Sequence, residues 1–130
     1  MLEEEQKVEK PSQHKFMVKL ESLKKSEHFR LGLKGKKTHT SFFSIYASKN
    51  FLKIKNNSLI ISFVIKKKIG NAVKRNKIRR KLKAIVTKIL KIKGAINRDY
   101  TYIVIGKIGS YNEKSKKLLE EMLRSFQKLN

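Results

Sequence analysis

One long stretch of the chain carries charge of a single sign. No Asp or Glu lies between Glu27 and Asp99, and every ionisable side chain from Lys66 to Lys93 is Lys or Arg. A domain that contains this stretch presents a long cationic surface, which suits a polyanion because each neutralised phosphate releases a counterion. The gap also lacks the carboxylates with which a metal-dependent nuclease or phosphatase holds its ions.

The composition favours a nucleic-acid-binding domain. The formal net charge is +23 and the pI is about 10.4, in 130 residues that suffice for one domain with one core. A hydrophobic fraction of 39% is adequate for a folded unit. The lack of cysteine rules out a disulfide framework and is compatible with the cytoplasmic location that we expect. No apolar run reaches the roughly 18–20 residues that span a bilayer, and we predict no membrane partner.

The first residues differ in pattern from the rest of the chain. Residues 1–19 mix charges without periodicity and contain the only proline, Pro11. We therefore predict a mobile N-terminal extension, followed by a single domain over residues 20–130. The domain begins with a short helical pattern from Leu20 to Leu33, for which Ser22 or Ser26 is a candidate N-cap.

Alternation of apolar and polar residues predicts two strands, Thr40–Ala47 and Leu59–Lys66. The intervening cluster Asn56-Asn57-Ser58 is typical of a turn, so we predict that the two strands pair antiparallel. Gly70 ends the second strand, and Asn71 is a candidate N-cap for the helix that follows. The buried stripe of that helix is Ile78, Leu82, Ile85 and Ile89.

The C-terminal part predicts a third strand and a last helix. The strand covers Tyr100–Ile105, and Ser110 with Glu113 forms a capping-box signature that opens the helix. The predicted buried face of this helix is Leu119, Met122, Leu123 and Phe126. The order α-β-β-α-β-α, with room for one further short strand, predicts an α+β sandwich with helices on one side of a small sheet.

Basic residues of the central helix fall on two flanks of its apolar stripe. At about 100° per residue, Arg75, Arg79 and Lys83 line one edge, and Asn76 and Arg80 lie further round. The residues on the opposite edge are Lys77, Lys81 and Lys88. This arrangement suits contact with two separate RNA segments or the wrapping of one, although a basic amphipathic helix also suits a membrane surface or an acidic protein.

An aromatic strand face adds a second signal. Phe42, Ser44 and Tyr46 share one side of the first strand, and the small Ser62 lies opposite. Such a face suits stacking of single-stranded bases, while the alternative is that Phe42 packs in the core. No other site is indicated: the histidines His14, His28 and His39 lack metal-ligand spacing, and the glycines form no phosphate-binding loop.

The segment from Lys67 to Arg80, with Gly70-Asn71-Ala72-Val73 and Arg75-Asn76-Lys77 in fixed register, resembles the signature helix of the bacterial ribonuclease P protein subunit. The resemblance extends to 23–29, 43–46 and 99–107, and covers roughly residues 20–127. It implies a left-handed β–α–β crossover and a cleft between the sheet and the central helix. It further implies partnership with a catalytic RNA that cuts the 5′ leader from precursor tRNA, with Mg²⁺ held mainly by RNA and no obligate protein partner.

The resemblance also implies roles for individual residues and no catalytic residue in the protein. The residues of the implied leader-binding cleft are Phe29, Tyr46, Arg75, Asn76 and Lys83. The residues implied to bind RNA elsewhere are Lys67, Lys68, Asn71, Lys74, Lys77, Arg79 and Arg80. Lys77 and Lys83 stand where arginine is common, which retains charge but loses bidentate recognition. Leu33 stands where the family usually has a second aromatic residue. The rival interpretation is a ribosomal or other structural RNA-binding protein.

Overall fold

Alternating apolar residues build a mixed five-stranded sheet in the computed structural model, which describes residues 18–54 and 57–130. The strands are β1 (Lys19–Glu21), β2 (Lys36–His39), β3 (Phe43–Lys49), β4 (Ser58–Ile65) and β5 (Tyr100–Gly106). The helices are α1 (Ser26–Gly32), α2 (Ala72–Leu90) and α3 (Ser115–Leu129), with 3₁₀ turns at Lys67–Ile69 and Ile108–Ser110. The predicted extension lies outside the described residues up to position 17, and β1 already begins at Lys19.

The strand order corrects one prediction. The sheet runs β1-β4-β5-β3-β2, so β5 lies between β3 and β4 and these two strands do not pair. β4 runs parallel to β5, whereas β3 runs antiparallel to it. Burial on both faces of β4 and β5 is typical of central strands, and their parallel pairing requires the crossover that α2 supplies.

The main core lies between one face of the sheet and the two long helices. The predicted stripe of α2 is confirmed, since Ile78, Leu82, Ile85 and Ile89 are all buried, and Val86 joins them. On the sheet, Phe43, Ile45 and Ala47 contribute to the same cluster from β3. The α+β class and the placement of the long helices on one side of the sheet are therefore confirmed.

The start of α3 differs from the prediction. The helix begins at Ser115 without a side-chain cap, and the Ser110 hydroxyl instead donates to the Lys107 carbonyl at 2.8 Å. The predicted capping box is therefore wrong, because the chain first makes a 3₁₀ turn at Ser110. The buried face of α3 comprises Leu118, Met122, Ser125, Phe126 and Leu129, with Leu119 and Leu123 only half-buried beside it.

The first predicted helix is also divided differently. Its N-terminal part is β1, which pairs parallel to β4, and α1 starts only at Ser26. Neither predicted cap is used, because no side chain caps the start of α1. The Ser22 Oγ instead lies 3.2 Å from the Ser62 Oγ. The short α1 packs on the face of the sheet opposite the long helices, against a cluster of Leu23, Ile60 and Ile103.

Two glycines allow close approach of elements. A Cβ on Gly106 would lie 2.5 Å from Ile65 Cδ1 and 3.1 Å from Ile78 Cγ2, so this position lets α2 pack directly on β5. A Cβ on Gly35 would lie 2.0 Å from the Ala47 carbonyl oxygen. Any larger residue at Gly35 would therefore separate the chain that enters β2 from β3.

Candidate nucleic-acid interface

The entrance to α2 combines a helix cap with exposed cations. The Asn71 side-chain oxygen accepts a hydrogen bond from the Lys74 backbone N–H at 2.9 Å, which confirms the predicted N-cap. Its side-chain NH₂ group is then the part of Asn71 suited to donate to an RNA oxygen. Lys67 and Lys68 lie in the preceding 3₁₀ turn, and both are exposed.

One flank of α2 is organised by hydrogen bonds among its own polar residues. Arg75 Nε donates to the Gly70 carbonyl at 3.1 Å, and Arg79 donates to the Asn76 side-chain oxygen at 2.7 Å. Asn76, Arg79 and Arg80 surround a shallow surface depression with Val73, which is 76% exposed. Lys83 is exposed one turn beyond Arg79. The predicted cationic edge is thus present and open to a ligand.

The opposite flank of α2 contacts the segment that leads into α3. The ammonium groups of Lys74 and Lys77 lie 4.7 and 4.8 Å from the centre of the Tyr111 ring. Lys81 donates to the carbonyls of Ser110 and Tyr111 at 3.1 and 3.2 Å, and also to that of Glu113. Lys81 therefore holds the segment in place, which the sequence pattern alone did not indicate.

Burial is the main influence on the pKa of Lys81. Burial lowers the pKa of Lys81 below its ordinary value, the neighbouring Lys77 lowers it further, and Glu113 acts in the opposite direction.

Within residues 18–54 and 57–130, ion pairs join Lys19 to Glu21 and both Lys117 and Arg124 to Glu121. None of these pairs includes a residue of α2, so the helix retains a positive potential that attracts phosphate.

The face of the sheet that carries α1 has an open part, which we call the sheet groove. It consists of half-buried Tyr46, Val64 and Ile105, next to Phe29 of α1. Its rim on β2 is formed by Lys37 and His39, which pair in register with Tyr46 and Ser44 and so share their face. The groove thus combines an aromatic and aliphatic floor with one lysine, Lys37, at its edge.

The structure brings together only part of the predicted leader site. Phe29 and Tyr46 pack on the same small cluster. Arg75, Asn76 and Lys83 belong to α2, which packs on the opposite face of the sheet. The implied cleft between the sheet and α2 is absent from the described residues, because apolar side chains fill that interface.

The predicted aromatic face is also smaller than expected. Phe42 precedes β3 and packs against the main core, which agrees with the alternative considered for it. Ser62 is not open to a ligand, because it is 2% exposed and its hydroxyl accepts from the Leu23 backbone N–H at 2.8 Å. Tyr46 remains the half-exposed aromatic residue of this strand.

His39 is a feature of the groove that sequence reasoning missed. It is the last residue of β2, and its Nδ1 lies 2.6 Å from the Ser44 hydroxyl oxygen. Its ring meets that of Tyr46 edge-on, with centroids 6.0 Å apart. The signal was hidden because β2 is short and polar, so no alternation of apolar residues reveals it.

The described residues contain neither a metal-binding cluster nor a membrane-spanning helix. No group of three or more His, Cys, Asp or Glu side chains is placed to hold a metal ion in this part of the chain. No helix there has both the length and the apolar character needed to cross a membrane.

The sequence profile of the Ribonuclease P family matches residues 17–130, a range that contains every element of the fold. The chain belongs to the Ribonuclease P family. A ribonuclease P protein component from Carboxydothermus hydrogenoformans is 32% identical over 108 residues, which cover 82% of this chain and 89% of that protein. Membership therefore rests on the whole domain and not on the signature helix alone.

Other members of the Ribonuclease P family are similar over shorter ranges or in fold. A ribonuclease P protein component from Helicobacter acinonychis is 42% identical over 82 residues, or 52% of this chain, and the match spans about half of that relative, 54%. The RNase P protein from Thermotoga maritima has a TM-score of 0.67 at 23% identity, covering 85% of this chain and 98% of that one. The Staphylococcus aureus RNase P protein has a TM-score of 0.65 at 24% identity, covering 84% of this chain and 97% of that one. At these identities, the two structures establish the shared fold.

Proposed function

We propose that this chain is the protein subunit of a ribonuclease P, which binds a catalytic RNA and promotes endonucleolytic removal of the 5′ leader from precursor tRNA. The observation that carries the proposal is the long cationic helix α2 of a Ribonuclease P family member, whose charges form no ion pair with the described acidic residues. Such a surface binds phosphates and screens the repulsion between two RNAs.

The α2 surface is the part proposed to bind the catalytic RNA. Arg79 and Arg80 border an open depression, and Lys67 and Lys68 extend the positive surface beyond the start of the helix. Arginine and lysine contacts of this kind go mainly to phosphates, so they position the RNA without reading its sequence. The second proposed surface is the sheet groove, on the other side of the sheet.

The sheet groove is the part proposed to bind the single-stranded leader. Unpaired bases stack on aromatic rings, and each such contact is worth about 1–3 kcal/mol. Tyr46 and Phe29 supply the rings, and Lys37 lies beside Tyr46 on the rim, where it is placed to attract the backbone phosphates. Lys83, Arg75 and Asn76 would meet the leader only where it passes round the sheet to α2.

The reaction itself is assigned to the RNA. Mg²⁺ would be held by RNA phosphates, where it supplies an activated water for attack on the phosphodiester. The donor set of the described residues does not fit a protein-held ion, since they contain no carboxylate or histidine cluster. The side chains of this chain bind, orient and screen, and we propose no catalytic residue among them.

Reconstitution tests this function. The purified chain is added to a bacterial ribonuclease P RNA and labelled precursor tRNA at low Mg²⁺, and release of the 5′ leader is measured. We expect cleavage with RNA and protein together and none with the protein alone. Assembly with ribosomal RNA but not with the catalytic RNA would support the structural RNA-binding alternative, and cleavage by RNA-free protein would contradict the assignment of the chemistry to RNA.

Tyr46→Ala tests whether the sheet groove binds the leader. We expect the reconstituted enzyme to lose roughly 5- to 150-fold in affinity for leader-bearing precursor, because one base loses its stacking partner, and little for mature tRNA. Tyr46→Phe keeps the ring and should bind nearly as wild type. Tyr100→Ala removes a half-buried tyrosine that packs with the main core and serves as the matched control. Equal losses for precursor and mature tRNA would contradict the groove assignment.

Arg80→Ala tests the α2 surface. Arg80 is exposed at the depression on α2, so we expect weaker assembly with the catalytic RNA and a salt dependence shallower by about one phosphate contact. Arg98→Ala removes an exposed arginine that lies beyond the C-terminal end of α2 and should leave the slope unchanged. An unchanged slope for Arg80→Ala would exclude this residue from the RNA contact.

A further inference from the structure

Tyr111 lies where two lysines of the signature helix converge. Lys74 and Lys77 are three residues apart on α2, and both direct their ammonium groups to the Tyr111 ring, at 4.7 and 4.8 Å from its centre. Like charges on adjacent turns repel each other, so an attractive partner is needed to hold them together. The negative face of an aromatic ring is such a partner, because it attracts cations without neutralising them.

The stem of Lys74 is guided as well. A Cβ on Gly70 would lie 2.7 Å from Lys74 Cδ and 3.3 Å from its Cβ and Cγ, so the lysine stem passes directly over this glycine. Gly70 therefore leaves the path along which Lys74 reaches Tyr111. This gives the glycine of the signature a packing role in addition to ending the connection from β4.

The position of the ring is itself held from two sides. Tyr111 is half-buried and packs against the main core. Its backbone carbonyl accepts a hydrogen bond from the Lys81 ammonium at 3.2 Å, one of three carbonyls that Lys81 binds in this segment. The ring is thus placed beside the two lysines by an apolar contact with the core and by a hydrogen bond that holds its backbone.

We propose that Tyr111 is a positioning residue for RNA binding, which holds the Lys74 and Lys77 ammonium groups as a preformed receptor for an RNA phosphodiester. The inference rests on the proposed function. A lysine loses side-chain entropy when a ligand immobilises it, so a ring that restricts two lysines beforehand raises affinity without touching the RNA. An ion pair with a carboxylate would restrict the same lysines but would cancel the charge that the phosphate needs.

Substitutions at Tyr111 distinguish the contribution of the aromatic ring from that of apolar packing against the core. Tyr111→Leu keeps an apolar side chain against the core but removes the ring, and we expect binding to a bacterial ribonuclease P RNA to weaken roughly three- to tenfold. Tyr111→Phe keeps the ring face and should bind nearly as tightly as wild type. Thermal unfolding of both variants shows whether the fold is retained. Wild-type affinity of Tyr111→Leu would overturn the proposal.

A double-mutant cycle distinguishes positioning from a general structural effect. In a Lys74→Gln, Lys77→Gln background, Tyr111→Leu should change affinity less than about twofold, since the lysines that the ring holds are gone. In a Lys88→Gln background, which removes an exposed lysine farther along α2, the full loss should persist. An equal effect of Tyr111→Leu in both backgrounds would overturn the positioning role.

Two readouts keep this inference separate from the proposed function. Ring-current shifts of the Lys74 and Lys77 side-chain protons report the contact without RNA, and they should be present in wild type and absent in Tyr111→Leu. If Lys74→Gln, Lys77→Gln weakens RNA binding and Tyr111→Leu does not, only the inference fails. If the double lysine variant binds RNA as wild type, this receptor is excluded, and failure of the chain to bind the catalytic RNA at all would reject the proposed function.

Discussion

Tyr102 shows how one polar atom is accommodated at the centre of this fold. The residue is fully buried in β5, and its ring meets Phe126 of α3 edge-on with centroids 5.0 Å apart. Its hydroxyl donates to the Asn97 carbonyl and accepts from the Asn97 backbone N–H, each at 3.2 Å. The hydroxyl therefore ties the loop before β5 to the core, at the cost of burying an ionisable group.

That burial makes stability sensitive to alkaline pH. Burial raises the pKa of Tyr102 from 10.0 to about 12, with the Asn97 hydrogen bond opposing and Tyr100 adding to the rise. Above pH 10 the unfolded chain loses this proton and the folded chain does not, so stability should fall between pH 10 and 12, by about 2–3 kcal/mol. Tyr102→Phe should lose less stability over this interval in denaturant titrations, and an identical pH profile would contradict the assignment.

The sequence predicted side-chain hydrogen bonds correctly only where both partners lie within one helical turn. Asn71 is followed directly by its helix, so the N-cap prediction is confirmed. Ser110 has the same kind of pattern but lies in a 3₁₀ turn. The long-range hydrogen bonds of Lys81 decide the path of that segment, and no pattern of neighbouring residues reports them.

At the scale of elements, Lys81 joins α2 to the start of α3. We expect Lys81→Met to keep the apolar stem but to leave the carbonyls of Ser110 and Tyr111 without this donor, which should lower the free energy of unfolding by about 1–3 kcal/mol. Lys88→Met is the matched control, because Lys88 is exposed on the same flank. Urea unfolding of both variants is the measurement, and equal stability of the two would contradict a tether by Lys81.

The sheet shows why element order was easier to predict than element pairing. Strong alternation or burial marks β3, β4 and β5, and the long apolar stripe marks α2, so their existence is confirmed. β2 reads Lys-Lys-Thr-His, and β1 has three residues, so both are strands only because a neighbour supplies their hydrogen bonds. The pairing of β5 between β3 and β4 likewise depends on where α2 packs, which a turn signal at Asn57 does not report.

The candidate site is divided between the two faces of the sheet, and this division also depends on long-range packing. The signature helix identifies the cations of α2 because helical spacing places them on known flanks of the buried stripe. Which of them lie near Tyr46 depends on the sheet, and β4 and β5 separate the groove from α2. Tyr111 lies more than thirty residues beyond the lysines it contacts, so only the packing of α3 against α2 reveals it.

For the whole molecule, the dominant quantity is a formal net charge of +23. Charge of one sign destabilises a compact state through self-repulsion, and the few described ion pairs lie on β1 and α3 rather than on α2. A polyanion that binds the folded chain should therefore stabilise it by mass action, and relief of the self-repulsion contributes to its affinity. Low concentrations of inorganic tripolyphosphate provide a test without the general effect of concentrated salts.

We expect tripolyphosphate at about 100 times its Kd to stabilise the chain by about 2.7 kcal/mol, which raises the Tm by roughly 10 °C for a domain of this size. Two charge-matched triple variants locate the effect. The α2 variant carries Lys77→Gln, Arg80→Gln and Lys83→Gln. The control variant carries Lys49→Gln, Lys116→Gln and Lys128→Gln at exposed positions elsewhere.

Both variants lose three charges, so both should unfold at a higher temperature than wild type without anion at low salt, because each relieves self-repulsion. Only the α2 variant should lose most of the tripolyphosphate-induced shift, and equal shifts in both variants would show that the anion responds to total charge rather than to the surface of α2.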